Sequence, residues 1–158
     1  EKAVFDGENV EARGFMLLGS MLAGQAFANS PVAAVHALAY PIGGTFHVPH
    51  GLSNALVLPH VLRFNAPEAA RLYAEIAADA FPHLEREPGI QGRCAAFIEE
   101  LAALSGKLGL PPRLRDVGIG EEHLAKMASD AMKQTRLLVN NPRPLAEADA
   151  LAIYRAAW

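Results

Sequence analysis

The chain has 158 residues, 51% of them hydrophobic and 20% charged, with a formal net charge of −3. That length supports a single domain with a substantial core, and the balance excludes a disordered segment. The acidic sign, with no Lys/Arg cluster interleaved with aromatics, argues against a nucleic-acid partner; the lone Cys94 excludes an internal disulfide framework and CxxC zinc sites, and makes a reducing cytoplasm the expected location.

Alternating strand patterns are nearly absent and helical signals recur, so the expected fold is all-α with six to eight helices. Residues 9–28 are rich in Ala, Leu and Met, which favour helix. The stretch GFMLLGSMLAGQAFA within them is the most apolar of the chain. It falls short of the roughly 20 residues that span a bilayer, and it contains Ser20 and Gln25. It therefore predicts a buried core helix and no membrane partner. Ser30 and Pro31 read as an N-cap and first helical position. That helix is expected to end near Tyr40, because Pro41 disfavours helical geometry in the residue before it, leaving PIGGTFHVP as a turn.

A third helix is expected from about His50 toward Phe64, kinked or split at Pro59, and Pro67 opens a fourth. Phe97, Ile98, Leu101, Leu104 and Leu108 keep helical spacing, with Gly109 placed as a C-cap. LPPRLRDVGIG reads as a linker, EEHLAKMASDAM as a helix with an acidic start, and LAEADALAIYRAAW as a closing amphipathic helix. The sequence opens at Glu1 with neither a methionine nor a signal-like segment, which suggests a processed or truncated piece of something longer.

Three of the six histidines, His36, His47 and His50, fall within VHALAYPIGGTFHVPHG. His36 lies mid-helix with Tyr40 one turn later on the same face. His50 follows across a turn flexible enough to fold back, so the two imidazoles could meet at one ion with bonds of about 2.0–2.2 Å. The competing reading is that each is a hydrogen-bonded core or cap histidine, since no HExxH or carboxylate-bearing motif fixes the pair. Two ligands also fall short of the usual three or four. His47 and His50 form an HxxH, but Pro49 interrupts a continuous helix through both. His60 reads as a packing or surface residue, and His83 and His123 sit in polar contexts. Neither Gly43–Gly44 nor the GIG at 118–120 completes a phosphate-binding motif. There is no GxSxG elbow, and Cys94 lies on an ordinary helical stripe.

Phe27, the NS that follows at 29–30, the His36–His50 pair, the downstream GLSNALVLPHVLRFN and the late NNPRP together resemble the iron-containing alcohol dehydrogenase family. The resemblance covers nearly the whole chain and is to the helical C-terminal domain of that family. It implies a divalent iron, sometimes zinc, held by an Asp, a His four residues later, and two further histidines that match His36 and His50. Tyr40 stands where the family often has histidine, beside the substrate and nicotinamide, and is the implied catalytic position. A phenol that ordinarily ionises near pH ~10 keeps a polar tip there but is no proton shuttle near neutrality. Phe27 corresponds to a residue that walls the substrate pocket.

The Asp-x3-His helix and the α/β domain that binds NAD(P) are expected upstream of Glu1. Asp6 is the nearest acid, and Val10 stands four residues after it. Residues 1–158 thus read as a helical metal-binding and substrate domain with half a metal site and no cofactor site. The implied activity is NAD(P)-linked interconversion of a small alcohol and its aldehyde in the intact enzyme, with the isolated chain inactive until an N-terminal half complements it. Two alternatives stand beside this: a stand-alone helical binding or assembly module that has lost catalysis, and a piece of a maleylacetate-reductase-like enzyme. PHGLSNA disfavours the second, since those reductases typically carry PHA.

Overall fold

Asn9 opens the first long helix of the chain by accepting a hydrogen bond from the Ala12 amide at 3.0 Å, the geometry of an N-cap. The computed structural model describes residues 1–158, with eight α-helices, short 3₁₀ turns and no strand, as an all-α fold requires. Contacts gather into two units, Glu1–Val32 and Ala33–Trp158. The first holds α1 (Lys2–Phe5) and α2 (Val10–Asn29), joined by a turn in which the Arg13 guanidinium donates to the Gly7 carbonyl at 3.0 Å. No residue of α2 is buried, and Phe15, Met16, Leu17, Leu18, Met21, Leu22 and Phe27 are exposed. The expectation of a buried core helix is corrected here. Ala, Leu and Met form the helix through local propensity, but propensity supplies no surface to cover it.

The second unit contains α3 (Ala34–Phe46), α4 (His50–Ala80), α5 (Gly89–Lys107), α6 (Leu124–Ala131), α7 (Thr135–Leu138) and α8 (Glu147–Ala157). Helix α3 differs from the sequence expectation at both ends. It starts at Ala34 without a side-chain cap, not at Ser30–Pro31, and it continues through Pro41 to Phe46. Pro41 removes the donor that would serve the Ala37 carbonyl. The helix continues because Ala34, Ala37, Leu38, Pro41 and Ile42 are buried together, so breaking it would unpack the core. The buried Tyr154 phenol donates at 2.6 Å to the Leu38 carbonyl, in the turn that Pro41 interrupts.

Helix α4 repeats this. Pro67 does not open a new helix and Pro59 does not split the old one; the chain stays helical from His50 to Ala80. A face running through Ser53, Val57, Val61, Asn65 and Ala69 at four-residue spacing, and on through Ala70, Ala74 and Ala77, is buried along its length. Arg143 donates to the Phe64 carbonyl at 2.8 Å, three residues before Pro67, and its guanidinium lies 4.1 Å from the Phe64 ring centre. The main core joins α3, the first half of α4, α6 and α8. Helix α5 covers the rest of α4 through Ala70, Cys94 and Ile98, then Ala77, Leu84 and Phe97. Gly109 ends α5 with φ +74°, its amide bonding to Gly106 and that of Leu110 to Ser105, so the expected glycine stop is present.

Candidate functional site

The link between α3 and α4 is short and tied from several sides. His47 adopts the left-handed conformation (φ 56°), and its amide donates to the Gly43 carbonyl at 3.0 Å, which caps α3. Val48 is buried. The fully buried Ser53 hydroxyl lies 3.1 Å from the carbonyl oxygens of both Val48 and Pro49. Gly43 sits where a Cβ would come within 3.4 Å of the Val48 carbonyl and 3.6 Å of the Ser53 hydroxyl. The result is a sharp reversal that returns His50, the first residue of α4, to the side of His36.

The two imidazole centroids are 5.2 Å apart, with planes tilted by 56°. One ion with bonds of ~2.1 Å, and ring nitrogens about 1.1 Å from each centroid, would separate two tetrahedrally placed rings by about 5.2 Å. The pair therefore fits as two members of a ligand set. No group of three or more His, Cys, Asp or Glu side chains is positioned to hold a metal, so the geometry brings together this imidazole pair and no further donor of those types. The His36 pKa is lowered, first by burial of the ring and then by the neighbouring His50, because both factors disfavour the imidazolium.

Tyr40 is exposed one turn after His36 on α3. Phe27 is exposed on α2 and belongs to the N-terminal unit. His47 is exposed in the turn, separated from α4 by Val48 and Pro49. His60 is half-buried, its pKa lowered first by burial and then by Arg63, with Glu99 opposing. His83 pairs with Glu100 at 3.0 Å, and the His123 ring meets Phe46 edge-on with centroids 5.2 Å apart. Burial holds the Cys94 thiol above its ordinary pKa, which suits a packing residue better than a nucleophile. Gly43 lies within helix α3 and Gly118 caps a 3₁₀ turn, so neither glycine pair forms a phosphate cradle.

Sequence reasoning gave no role to four polar residues, two beside the histidine pair and two that tie down the helix carrying His50. Ser53 holds the reversal just described. Asn54 has its Nδ2 3.1 Å from His50 Nε2 and donates to the His50 carbonyl at 3.0 Å. The signal available for it was an asparagine one helical turn after a histidine at a helix start. Asn65 and Asn141, distant in sequence, exchange hydrogen bonds of 3.0 and 2.7 Å, which ties the NNPRP segment to α4. No local pattern announces that pairing.

The model for the C-terminal part of the Fe-containing alcohol dehydrogenase family matches residues 1–158. The chain is 43% identical to long-chain-alcohol dehydrogenase 1 of Geobacillus thermodenitrificans over 99% of its own length and 40% of the relative's. It is 36% identical to lactaldehyde reductase of Escherichia coli K12, over 90% of its length and 37% of the relative's. The solved structure of a 1,3-propanediol oxidoreductase superposes with a TM-score of 0.94 at 36% identity, covering 99% of this chain and 41% of that one. The chain thus spans about two fifths of the length of the relatives it matches. It belongs to the iron-containing alcohol dehydrogenase family and corresponds to that family's helical C-terminal region.

Proposed function

We propose that residues 1–158 form the metal-binding and substrate half of an NAD(P)-linked alcohol dehydrogenase acting on a small alcohol or aldehyde in a cytoplasmic setting. The observation that carries this is the 5.2 Å approach of the His36 and His50 rings across a reversal that Ser53 and Gly43 hold in place. A bound iron or zinc ion would supply Lewis acidity toward an alcohol oxygen. His36 and His50 are neutral-imidazole ligands for it, Tyr40 places a hydroxyl beside the reacting carbon, and Phe27 contributes an apolar wall to the substrate pocket. In this reading NAD(P) binding belongs to the part of the relatives' length that these residues, spanning about two fifths of it, do not match.

Hydride transfer needs the nicotinamide held about 3–3.5 Å from the alcohol carbon. The isolated chain is therefore expected to show no NAD(P)-linked oxidation of ethanol or 1,2-propanediol, with or without Fe²⁺. Joining it to an N-terminal half that carries an Asp-x3-His helix restores activity, and His50→Ala then abolishes it. Turnover by the isolated chain with NAD⁺, sensitive to His36→Ala, would contradict this reading.

The exposed apolar side chains of α2 favour a second reading, an assembly role, in which either an N-terminal half or another copy of the chain covers them. No helix is long and apolar enough to cross a membrane.

A further inference from the structure

Asn54 lies one helical turn after His50 on α4 and makes two contacts with it through a single atom. Its Nδ2 is 3.0 Å from the His50 carbonyl oxygen and 3.1 Å from the His50 ring Nε2. A carbonyl oxygen only accepts, so the nitrogen of the amide, and not its oxygen, must face His50. That nitrogen only donates, so Nε2 must accept. In a neutral ring the proton then sits on Nδ1. The other end of the amide, Asn54 Oδ1, is buried with no partner. Turning the amide over would set two oxygens against each other at the His50 carbonyl, so the arrangement is held despite an unsatisfied atom.

We propose that Asn54 is a positioning residue for the metal half-site: it holds His50 as the Nδ1–H tautomer and keeps the Nε2 lone pair engaged until a divalent metal takes it. The inference rests on the reading of His36 and His50 as ligands. Imidazole ligates through its unprotonated nitrogen, so fixing the proton on Nδ1 leaves Nε2 as the ligating atom. Here one side chain does this from the ligand's own helix. When Nε2 passes to the metal, Asn54 keeps its bond to the His50 carbonyl, and the ring proton need not move.

The test is a long-range ¹H–¹⁵N spectrum of the metal-free 158-residue chain labelled in histidine nitrogen, at alkaline pH where imidazoles are neutral. The expected pattern is a protonated Nδ1 and an unprotonated Nε2 for His50. In Asn54→Leu the His50 nitrogens shift toward an average of both tautomers, while the patterns of the other histidines are unchanged. Asn54→Ala, for which the same averaging is expected, serves if the leucine variant does not fold. Zinc added to the unmodified chain moves His50 Nε2 and releases it from Asn54. An Nε2–H form in the unmodified chain, or a tautomer indifferent to Asn54, overturns the proposal. If the Nδ1–H form is found but zinc moves neither His36 nor His50, the ligand reading fails while the hold of Asn54 on the ring stands.

Discussion

Helices α2 and α4 are the two longest in the chain, and they obey opposite rules. Helix α2 runs for 20 residues with no proline and apolar side chains in every direction, and none of it is buried. Helix α4 runs for 31 residues with prolines at 59 and 67, and it buries one face from Ser53 to Ala77. Local propensity is enough to form α2 but cannot place it. In α4 a periodic face packed against α3, α5 and α8 outweighs two interruptions that each remove a backbone hydrogen bond. The Pro41 turn of α3 makes the same point in miniature. At Pro41 and at Pro67, a distant side chain donates to the carbonyl three residues earlier: Tyr154 to Leu38, and Arg143 to Phe64.

Removing those donors should separate the two proline turns. Tyr154 is fully buried and its phenol is held far above the ordinary range by burial, so Tyr154→Phe leaves a carbonyl in the core without its side-chain donor. A loss of about 1–2 kcal/mol is expected from a buried hydrogen bond whose acceptor stays in the helical ladder, read as a fall in melting temperature of roughly 2–8 °C for a chain of this size. Arg143→Met keeps an apolar stem against Phe64 and sits nearer the surface, so its loss should be smaller, about 0.5–1 kcal/mol. Equal effects from the two variants would mean that burial does not set the value of these donors.

The contrast between α2 and α4 can be sharpened by charge. Leu17→Glu combined with Leu22→Glu on α2 should abolish concentration-dependent association in light scattering while leaving the melting temperature unchanged, because neither residue is buried. Val57→Glu on α4, at a fully buried position, should prevent folding. A clean monomer across a wide concentration range for the unmodified chain would count against α2 as an association surface.

The smallest effect is expected at the surface of α6. Lys126 and Lys133 flank Asp130 and hold its carboxyl at about 2, below its ordinary 3.8. The folded value is the lower one, so the stabilisation is fully present above pH 3.8 and is lost as pH falls through about 2. Asp130→Asn should change the melting temperature little at neutral pH and flatten its decline between those two values. An unchanged acid limb would mean the pairs are lost in solution.

This contrast also explains how far the fold was legible. The all-α class, the glycine stop after α5 and the closing helix follow from composition, spacing and one positive-φ residue, all of which are local. The boundaries at Pro31, Pro41 and Pro67 were misplaced because proline was weighed by its local geometry alone, while the buried faces and the donors Tyr154 and Arg143 come from far along the chain. Within the site, the approach of His36 and His50 is as expected, but not through a turn at the two glycines: both lie in α3, and the reversal is made at His47, Val48 and Pro49. The burial of Ser53, the double contact of Asn54 and the Asn65–Asn141 exchange depend on the packed turn and left no comparable pattern.

The central claim is that the α3–α4 reversal builds two ligands of a metal site. Calorimetric titration of the 158-residue chain with Zn²⁺ at neutral pH tests it most directly. Weak binding of one ion is expected, since two protein ligands leave the other positions to water. Both His36→Ala and His50→Ala should remove it, while His47→Ala leaves it intact. Tight stoichiometric binding that survives both substitutions would place the metal elsewhere and contradict the account.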